Sequence, residues 1–434
     1  MNNPRKLAAD ALLKIEVDKA YSNLTLNNVL SKTQLSSADK SLCTSIFYGV
    51  LDRKITLDYV IKKFISTPIK KIKPYTLTVL RCGIYQIMYM DRIPNSAVVN
   101  ESVKLIKQSN ESYNSGFVNG LLRNFLRDGI TIPTGNDINS ISVTYSCPAQ
   151  IVSILIRDLG IENTKKFLES SLDVPPTFIR VNTNKTNTKE LSQNLLDYGV
   201  TTKEVDVPNT LSISNLKNIE NINEFTNGLF HVEDLSCQQA LQFLDLKPDS
   251  RVLDVCAAPG GKTFTAAQTS YNGQVISCDL HEHRVKLIEN GAKRLNLNNV
   301  KACVQDATEF NEQFGLFDRI ICDVPCSGLG VIGRKPEIRY KSAEEFSQLP
   351  ELQKEILYSC AQTVKDGGTL IYSTCTLNKD ENESICDSFL NDFPEFSVSE
   401  DDYYRSLTDD YITVFPSVDG GDGFFIAKFI KGKK

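Results

Sequence analysis

Short apolar segments alternate with amphipathic, helix-like stretches from Ser250 onward, and this alternation constrains the fold more than any other feature. Strands separated by helices pair in parallel, and the helices then cover both faces of their sheet. The sequence therefore predicts a doubly wound α/β domain over residues 241–434. Its predicted strands are Arg251–Val255, Gln274–Cys278, Ala302–Gln305, Arg319–Cys322 and Thr369–Ser373.

The first 130 residues show a different pattern, in which apolar residues recur at helical spacing. The segment 117–126 carries one such stripe. Pro68, Pro74 and Pro94 mark helix boundaries, because proline lacks the N–H group that a helix interior needs. We predict an all-α bundle of about six helices over residues 1–130.

Residues 140–240 mix helical and strand-like patterns, and a glycine-containing linker at 129–137 precedes them. A helix at 148–159, a strand at 177–182 and a helix at 188–198 indicate a small α+β, RRM-like module. The chain is thus expected to be multidomain, with parts at 1–130, 140–240 and 241–434.

Charge is distributed unevenly along the chain. The formal net charge of −5 argues against a nucleic-acid partner, but residues 1–130 hold 19 Lys or Arg and 10 Asp or Glu. Residues 380–422, with 13 acidic side chains and one arginine, are a poor candidate for phosphate contact. The basic first part is a better one, although a solvated loop explains its lysine cluster equally well. This cluster comprises Lys62, Lys63, Lys70, Lys71, Lys73 and Arg81.

The N-terminal segment turns polar before a signal peptide could form, and no run reaches the roughly 20 apolar residues of a membrane helix. The twelve cysteines are therefore expected to be reduced thiols. His231, His281 and His283 do not complete a metal spacing, and the last two are expected on the surface. We expect a cytoplasmic monomer without a bound metal.

The turn after the first predicted strand is the main candidate for a ligand site. Val252–Cys256 runs into Ala257-Ala258-Pro259-Gly260-Gly261-Lys262-Thr263, and a helix follows. This arrangement places backbone N–H groups beside a nucleotide-like ligand. A Walker loop is not matched, because Cys256 occupies the place of its first glycine, and a dinucleotide fingerprint would need three spaced glycines.

Acidic residues follow the next two predicted strands. Asp279 lies about 20 residues beyond the glycine turn, where a carboxylate can accept hydrogen bonds from ribose hydroxyls. Asp306 follows the third strand. Either residue alone is more typical of a cap or turn, but three strand ends in order favour an adenosine-containing cofactor.

Two further strand ends carry cysteines, in Asp323-Val324-Pro325-Cys326-Ser327-Gly328 and Ser373-Thr374-Cys375-Thr376. A lone cysteine is most often an inert buried residue, an interpretation that fits Cys43, Cys82, Cys278 and Cys322. A pair at the ligand edge suits one chemistry. A thiolate that adds to carbon 6 of cytosine makes carbon 5 nucleophilic, and Asp323 at the N3/N4 edge would stabilise the addition. The second cysteine could then assist release.

These segments resemble the signature motifs of the Nol/Nop/Sun family of S-adenosylmethionine-dependent RNA cytosine-5 methyltransferases. Further matches are Arg180-Val-Asn182, the segment 232–239 and the closing Asp419-Gly-Gly-Asp-Gly-Phe-Phe-Ile-Ala. The first part resembles a NusB-like RNA-binding domain. This fusion resembles the bacterial RsmB/Sun branch, whose substrate is a cytosine in 16S ribosomal RNA. The resemblance implies a Rossmann-like class I methyltransferase domain at 241–434.

The resemblance also implies site residues. Cys375 would be the nucleophile, Cys326 would assist product release, and Asp323 would lie near the target base and the cofactor. S-adenosyl-L-methionine would be held by the loop Cys256, Ala257, Ala258, Pro259, Gly260, Gly261 and Lys262, by Asp279 at the ribose and by Asp306 near the adenine. The sequence departs from the family at Glu233, where many members have glutamine, and at Val324, where alanine is common.

The target cytosine must be single-stranded or flipped out of its helix. Arg334, Lys335, Arg339, Tyr340 and Lys341 follow the Asp323 segment, so we expect this stretch on the catalytic face, in contact with RNA. Arg180 is a further candidate.

Three other functions remain open. A tRNA cytosine-5 methyltransferase would use the same chemistry, although the helical first part argues against it. A DNA methyltransferase would use Cys326 as nucleophile and leave Cys375 unexplained. A non-catalytic RNA-binding or assembly factor would have no need of Asp323 and the two cysteines.

Overall fold

The computed structural model describes residues 3–18, 22–216, 219–309, 311–400, 410–416 and 420–433. The chain forms two compact units. The first comprises Met1–Asp173 together with Ile332–Lys341, and the second comprises Val174–Val331 together with Ser342–Lys434. Residues 140–173, which the sequence assigned to the small α+β module, are therefore grouped with the helical unit.

The helical unit contains eight α-helices among its described residues. Six of them lie before residue 130, as predicted. The proline positions set their ends as expected, because α4 begins at Pro74 and Pro94 is the N-cap residue of α5. The helices are α1 (Pro4–Asp18), α2 (Ser22–Ser31), α3 (Ser37–Lys63), α4 (Pro74–Tyr89), α5 (Asn95–Lys107), α6 (Ser115–Asp128), α7 (Ile138–Thr144) and α8 (Ala149–Ser170), the last kinked at Gly160.

Apolar side chains from α1 to α6 form one core in this unit. Phe47 and Ile46 of α3 and Ile84 of α4 are fully buried in it. On α6 the buried residues Val118, Leu121, Leu122 and Phe125 recur at the spacing that the sequence indicated. Burial of this apolar face, more than helix propensity, stabilises such a bundle.

The segment Ile332–Lys341 packs within the helical unit although it follows the Cys326 motif in sequence. Arg339 is fully buried, and its guanidinium donates hydrogen bonds to the Ser171 hydroxyl at 2.7 Å and to the Ser171 carbonyl at 3.3 Å. The Tyr340 hydroxyl donates to the Leu51 carbonyl at 2.6 Å. These bonds connect the segment to α3 and to the end of α8.

The second unit begins with a four-stranded antiparallel sheet in the order β2-β3-β1-β4. Its core includes Ile179, Leu211 and Phe230 from the strands and Leu191 from a helix, all fully buried. The elements are β1 (Thr177–Val181), α9 (Thr188–Leu196), β2 (Thr201–Glu204), β3 (Thr210–Ser214), α10 (Asn223–Thr226) and β4 (Phe230–Val232).

An eight-stranded sheet forms the rest of this unit. Its order is β10-β12-β9-β8-β5-β6-β7, and β11 pairs with β12. Strands β5 to β9 run parallel to one another, whereas β12 is antiparallel to its neighbours. The strands are β5 (Arg251–Asp254), β6 (Gln274–Asp279), β7 (Val300–Val304), β8 (Phe317–Asp323), β9 (Val364–Thr374), β10 (Phe396–Val398), β11 (Ile412–Val414) and β12 (Phe424–Lys431).

Helices cover both faces of this sheet, as the alternating pattern predicted. On β8, Ile320 belongs to one buried cluster and Ile321 to another, because successive side chains of a strand point to opposite faces. The mainly parallel doubly wound fold is confirmed. The antiparallel strands after β9 were not among the predicted strands. The helices are α11 (Leu235–Gln242), α12 (Gly261–Thr269), α13 (Glu282–Leu295), α14 (Ala343–Ser347), α15 (Leu349–Ala361) and α16 (Glu383–Asp392).

Candidate active site

The predicted cofactor loop, residues 256–262, connects β5 to α12. Its Ala257 N–H donates to the Cys278 carbonyl at 2.8 Å, which attaches the loop to β6. Gly260 has a φ of 114°, and a Cβ there would lie 2.3 Å from the Phe264 ring. A Cβ on Gly261 would lie 3.1 Å from Glu233 Oε1. The two glycines therefore serve a left-handed turn and a close approach that side chains would obstruct.

Asp279 lies at the carboxyl end of β6 and is 2 % exposed. Its Oδ1 accepts a hydrogen bond from the His281 N–H at 3.2 Å. Arg284 NH1 approaches Oδ2 to 3.2 Å, yet among the described residues no hydrogen bond reaches that oxygen. A buried carboxylate oxygen with unused acceptor capacity is suited to a ligand hydroxyl.

Asp306 lies two residues beyond β7 and is half-buried. Its Oδ1 accepts hydrogen bonds from the Thr308 N–H at 2.9 Å and from the Thr308 hydroxyl at 2.8 Å. The carboxylate thus stabilises its own turn, and a ligand would contact it through the remaining oxygen.

Asp254, at the end of β5, is an acidic residue of this edge that the sequence reasoning missed. It is 1 % exposed, and its Oδ2 accepts a hydrogen bond from the Thr263 hydroxyl at 2.7 Å. Burial raises the pKa of this carboxyl to about 7. The signal that could have revealed it is its place at a strand end, which it shares with Asp279 and Asp323.

Lys262 connects the cofactor loop to the Asp323 motif. Its Nζ donates to Asp323 Oδ2 at 2.7 Å and lies 3.3 Å from Cys237 Sγ. Burial alone would lower the pKa of Lys262, but the charge and hydrogen bond of Asp323, together with Cys237 and Glu233, outweigh burial and raise the pKa well above its usual value. Asp323 Oδ1 accepts a further hydrogen bond from the Ser373 hydroxyl at 2.8 Å. Three segments of the site, from β5, β8 and β9, therefore meet at this carboxylate.

The two predicted cysteines lie side by side. Cys326 follows β8 and Cys375 follows β9, and their Sγ atoms are 3.2 Å apart. Both are partly exposed, whereas Cys43, Cys82, Cys278 and Cys322 are buried, as predicted. The hydrogen bond to Cys375, together with burial, raises the pKa of the Cys326 thiol well above its usual value. Either sulfur can be the donor in this contact.

Glu381, which the sequence reasoning also missed, joins the two cysteine-bearing turns. It is fully buried, and its Oε2 accepts hydrogen bonds from the Ser327 N–H at 2.8 Å and from Gln353 Nε2 at 2.9 Å. The Ser327 hydroxyl lies 2.7 Å from the Thr376 hydroxyl. The geometry of the cysteine pair is thus set by polar bonds on both sides.

The closing glycine motif lies against the same turns, although Asp419 falls outside the described residues. Gly330 donates its N–H to the Cys375 carbonyl at 2.9 Å, and the Gly423 N–H donates to the Gly330 carbonyl at 3.0 Å. A Cβ on Gly330 would lie 2.0 Å from the Gly423 carbonyl oxygen. This close backbone approach requires glycine.

The predicted RNA-binding residues of the helical unit differ in exposure. Lys62, Lys63, Lys70, Lys71 and Lys73 are exposed. Arg81, in contrast, is 5 % exposed and forms ion pairs with Asp58 at 2.7 Å and Glu16 at 2.6 Å. The prediction that Arg81 belongs to the RNA-binding cluster is therefore wrong. Its buried and paired guanidinium connects α1, α3 and α4.

Among the candidates after the Asp323 motif, Lys335 is exposed and Arg334 is partly buried. The predicted RNA contact of Arg339 does not fit the structure, because this side chain is fully buried on Ser171. Arg180 lies on β1, partly buried, and its NH1 donates to the Pro208 carbonyl at 2.6 Å. Burial lowers the pKa of Arg180. An RNA contact of Arg180 stays a prediction.

His281 and His283 are exposed, as expected, with their rings stacked at 5.5 Å. Among the described residues no group of three or more His, Cys, Asp or Glu side chains is arranged to hold a metal ion. Over the same residues, no helix combines the length and the apolar character that crossing a membrane requires.

The Rossmann-like sheet is typical of a methyltransferase domain, and comparison with known proteins identifies the family of the chain. A family model described as 16S rRNA methyltransferase RsmB/F matches residues 241–430, and the NusB family model matches residues 2–127. The chain belongs to the family of the ribosomal RNA small subunit methyltransferases B, as its full-length relatives show.

One such relative, from Bacillus subtilis (strain 168), is described as a probable ribosomal RNA small subunit methyltransferase B. It is 36 % identical over 98 % of this chain and 98 % of its own length. The ribosomal RNA small subunit methyltransferase B of Klebsiella pneumoniae subsp. pneumoniae is 31 % identical over 99 % of this chain and 98 % of its own length.

Solved structures agree with this placement. The crystal structure of PH0851 has a TM-score of 0.82 and 27 % sequence identity, over 100 % of this chain and 99 % of its own. A methyltransferase homolog protein from Pyrococcus horikoshii, with a TM-score of 0.59 and 24 % identity, covers 69 % of this chain and 100 % of its own length. This second likeness shows the fold. The predicted family and fold class are thereby confirmed.

Proposed function

We propose that this protein transfers a methyl group from S-adenosyl-L-methionine to carbon 5 of a cytosine in 16S ribosomal RNA, with Cys375 as the nucleophile. The observation that carries the proposal is the 3.2 Å separation of Cys375 and Cys326 beside the Lys262–Asp323 ion pair. The names of the full-length relatives, which are small-subunit ribosomal RNA methyltransferases, support the substrate class.

The cofactor edge of the sheet has features that suit an adenosine-containing sulfonium ligand. The turn at Gly260 and Gly261 leaves no room for side chains, and Asp279 Oδ2 is buried and accepts no hydrogen bond from the residues that the structure describes. Residues 256–262 would hold the cofactor with backbone N–H groups at the start of α12, and Asp279 would bind the ribose. Asp306 would lie near the adenine, and Asp323 would lie between cofactor and base. When bound, S-adenosyl-L-methionine supplies an electrophilic methyl group.

Cys375 would begin the reaction by adding to carbon 6 of the cytosine. A thiolate is the attacking form, so the proton of the Cys375 thiol must pass to a base or to water before the sulfur adds. The new carbon–sulfur bond pushes electrons through the ring, so that carbon 5 becomes nucleophilic and negative charge accumulates toward N3. The ammonium of Lys262 offsets this charge, and the Asp323 carboxylate accepts a hydrogen bond from the N4 amino group.

Release requires two bond changes after the methyl group is in place. The proton on carbon 5 must pass to a base, and the carbon 6–sulfur bond must break, which returns the electron pair to Cys375. Cys326 is the residue that we assign to assist this step, because its sulfur is 3.2 Å from the sulfur that leaves.

The distribution of charge suggests which parts of the chain bind RNA and which part carries the chemistry. Residues 1–130 would bind RNA phosphates through the exposed Lys70, Lys71 and Lys73, with Lys335 and Arg334 as additional contacts. The four-stranded antiparallel sheet β1–β4, with Arg180, would provide a further RNA-facing surface, and residues 241–434 would carry the chemistry.

The test uses labelled S-adenosyl-L-methionine with undermodified 16S RNA, tRNA and DNA as acceptors. We expect label in 16S RNA, no transfer by Cys375→Ala, and a covalent protein–RNA adduct that accumulates in Cys326→Ala. Labelling of tRNA alone would establish the tRNA alternative. Full activity of Cys375→Ala would show that the nucleophile is wrongly assigned, and RNA binding without any transfer would indicate an assembly factor.

A further inference from the structure

Glu381 is a fully buried carboxylate that accepts three hydrogen bonds from three different segments. The Ser327 N–H and Gln353 Nε2 donate to Oε2 at 2.8 and 2.9 Å, and Asn378 Nδ2 donates to Oε1 at 3.0 Å. Its backbone carbonyl accepts a hydrogen bond from the Tyr372 hydroxyl of β9 at 2.6 Å. A buried charge is retained only when such partners compensate it.

These bonds hold both peptide groups that flank Cys326. Gln353, on α15, donates through the same amide nitrogen to the Pro325 carbonyl at 2.9 Å. Glu381 accepts from Ser327 on the other side. Cys326 therefore lies between two backbone groups that a single Glu381–Gln353 pair fixes.

The next residue, Asn382, forms hydrogen bonds with the two residues on either side of Cys375. Its Oδ1 accepts a hydrogen bond from the Thr374 hydroxyl at 2.6 Å, and its Nδ2 donates to the Thr376 carbonyl at 3.0 Å. Two consecutive residues thus bind the two cysteine turns, one each. Their shared backbone sets the separation of the turns.

We propose that Glu381 is a positioning residue for product release, because its carboxylate holds the Cys326 turn at a fixed distance from Cys375. The inference rests on the roles that the proposed function gives the two cysteines. Glu381 touches neither base nor cofactor in this account. It acts through Cys326.

The charge of Glu381 matters as well as its shape. An ionised carboxylate offers acceptors on both oxygens, whereas glutamine would turn one of them into a donor that faces Asn378 or Gln353. The negative charge of Glu381 is also one of the causes that raise the pKa of the Cys326 thiol, after the hydrogen bond to Cys375 and burial. A change to glutamine should therefore alter both the position and the protonation of Cys326.

The experiment measures two rates on the full-length protein with 16S RNA and labelled S-adenosyl-L-methionine. Adduct formation and adduct release are followed in a single turnover by denaturing gel. We expect Glu381→Gln to slow release by about tenfold or more, the effect of losing one hydrogen bond to a charged group, while adduct formation changes by less than about threefold. A merely structural role would lower both rates together.

Asp318→Asn is the matched control. Asp318 also accepts a backbone N–H, from Arg251 at 2.8 Å, and an ammonium, from Lys365 at 2.7 Å, but it lies at the opposite end of β8. This variant should leave the ratio of the two rates unchanged. If Asp318→Asn slows release as Glu381→Gln does, the effect is general loosening of the sheet and the inference is overturned.

The remaining outcomes separate this inference from the proposed function. If Cys326→Ala accumulates the adduct but Glu381→Gln releases it at the wild-type rate, the role of Glu381 is refuted and the cysteine assignment stands. If Cys375→Ala is active, the proposed function itself fails. Should Glu381→Gln not fold, Gln353→Met removes the donor to both Pro325 and Glu381, and its release rate decides in the same way.

Discussion

The ammonium of Lys262, from the first turn of α12, forms a 2.7 Å ion pair with Asp323 at the end of β8. This pair joins the cofactor loop to the turn that carries Cys326. It places a positive charge with a raised pKa beside the carboxylate proposed to meet the base. The pair therefore connects the proposed cofactor site to the proposed base site, and its role can be tested separately from the roles of the cysteines.

Lys262→Met should lower methyl transfer by about 100-fold or more, because the site loses the positive charge that offsets charge on the ring. Binding of S-adenosyl-L-methionine, measured by calorimetry, should change much less than the single-turnover rate. Lys286→Met, at an exposed lysine of α13, is the control and should retain activity. If Lys262→Met weakens cofactor binding but leaves the single-turnover rate unchanged, Lys262 serves cofactor binding alone.

Asp279→Ala should weaken binding of S-adenosyl-L-methionine by about 10- to 100-fold, since hydrogen bonds from the ribose to a charged acceptor would be lost. Asp306→Ala should weaken it less, because that carboxylate already stabilises its own turn through Thr308. Calorimetric titration of the three proteins provides the comparison. Unchanged affinity in Asp279→Ala would remove this residue from the cofactor site.

The buried Asp254 should make stability depend on pH. Its pKa is 3.8 in the unfolded chain and about 7 in the folded protein, so between these values the folded protein retains a proton that the unfolded chain has lost. The contribution of this group to stability is therefore greatest below about pH 4 and declines as the pH rises to about 7.

Asp254→Asn cannot ionise, yet its amide oxygen can still accept the bond from Thr263. Relative to the wild type, it should become more stable between about pH 5 and pH 8, by up to a few kcal/mol in the free energy of unfolding in urea. The exposed Asp249→Asn is the control. A difference between wild type and Asp254→Asn that does not vary with pH would contradict the prediction.

Replacing Lys70, Lys71 and Lys73 together by alanine should weaken binding to 16S RNA fragments and reduce its salt dependence. Each lost phosphate contact reduces the magnitude of the slope of log K against log salt concentration by about 0.7 to 0.9. The slope of the triple variant should therefore be smaller in magnitude by about 2 to 3. Fluorescence anisotropy at several salt concentrations measures this slope. Lys286, Lys293 and Lys301, exposed in the other unit, provide a triple variant whose slope should stay unchanged.

Local patterns were sufficient to predict the doubly wound sheet, the six N-terminal helices and the placement of Cys326 and Cys375 at the carboxyl ends of parallel strands. Each of these predictions depends on periodicity or on the rule that parallel strands end at one edge. Arg339 and Arg81 show the limit of such reasoning. Each stands in a basic stretch that suggests RNA contact, but each is buried on partners distant in sequence, namely Ser171 and Asp58.

The role of Glu381 could not be predicted from the sequence for a related reason. It belongs to an acidic stretch in which its side chain is indistinguishable by type from its exposed neighbours, and only tertiary packing brings Ser327, Gln353 and Asn378 to it. Asp254 was missed in a similar way, because it ends a strand whose other residues are mostly apolar. Burial of a single carboxylate is a property of the assembled sheet and leaves little trace in the local sequence.

The central claim is that Cys375 bonds covalently to the RNA and that Cys326 serves release. Its most direct test is mass spectrometry of trypsin-digested protein–RNA adducts from Cys326→Ala and Cys375→Ala. We predict an adduct on the peptide 366–379, whose one cysteine is Cys375, in Cys326→Ala. An adduct on the peptide 320–334, which carries Cys326, in an active Cys375→Ala protein would contradict it.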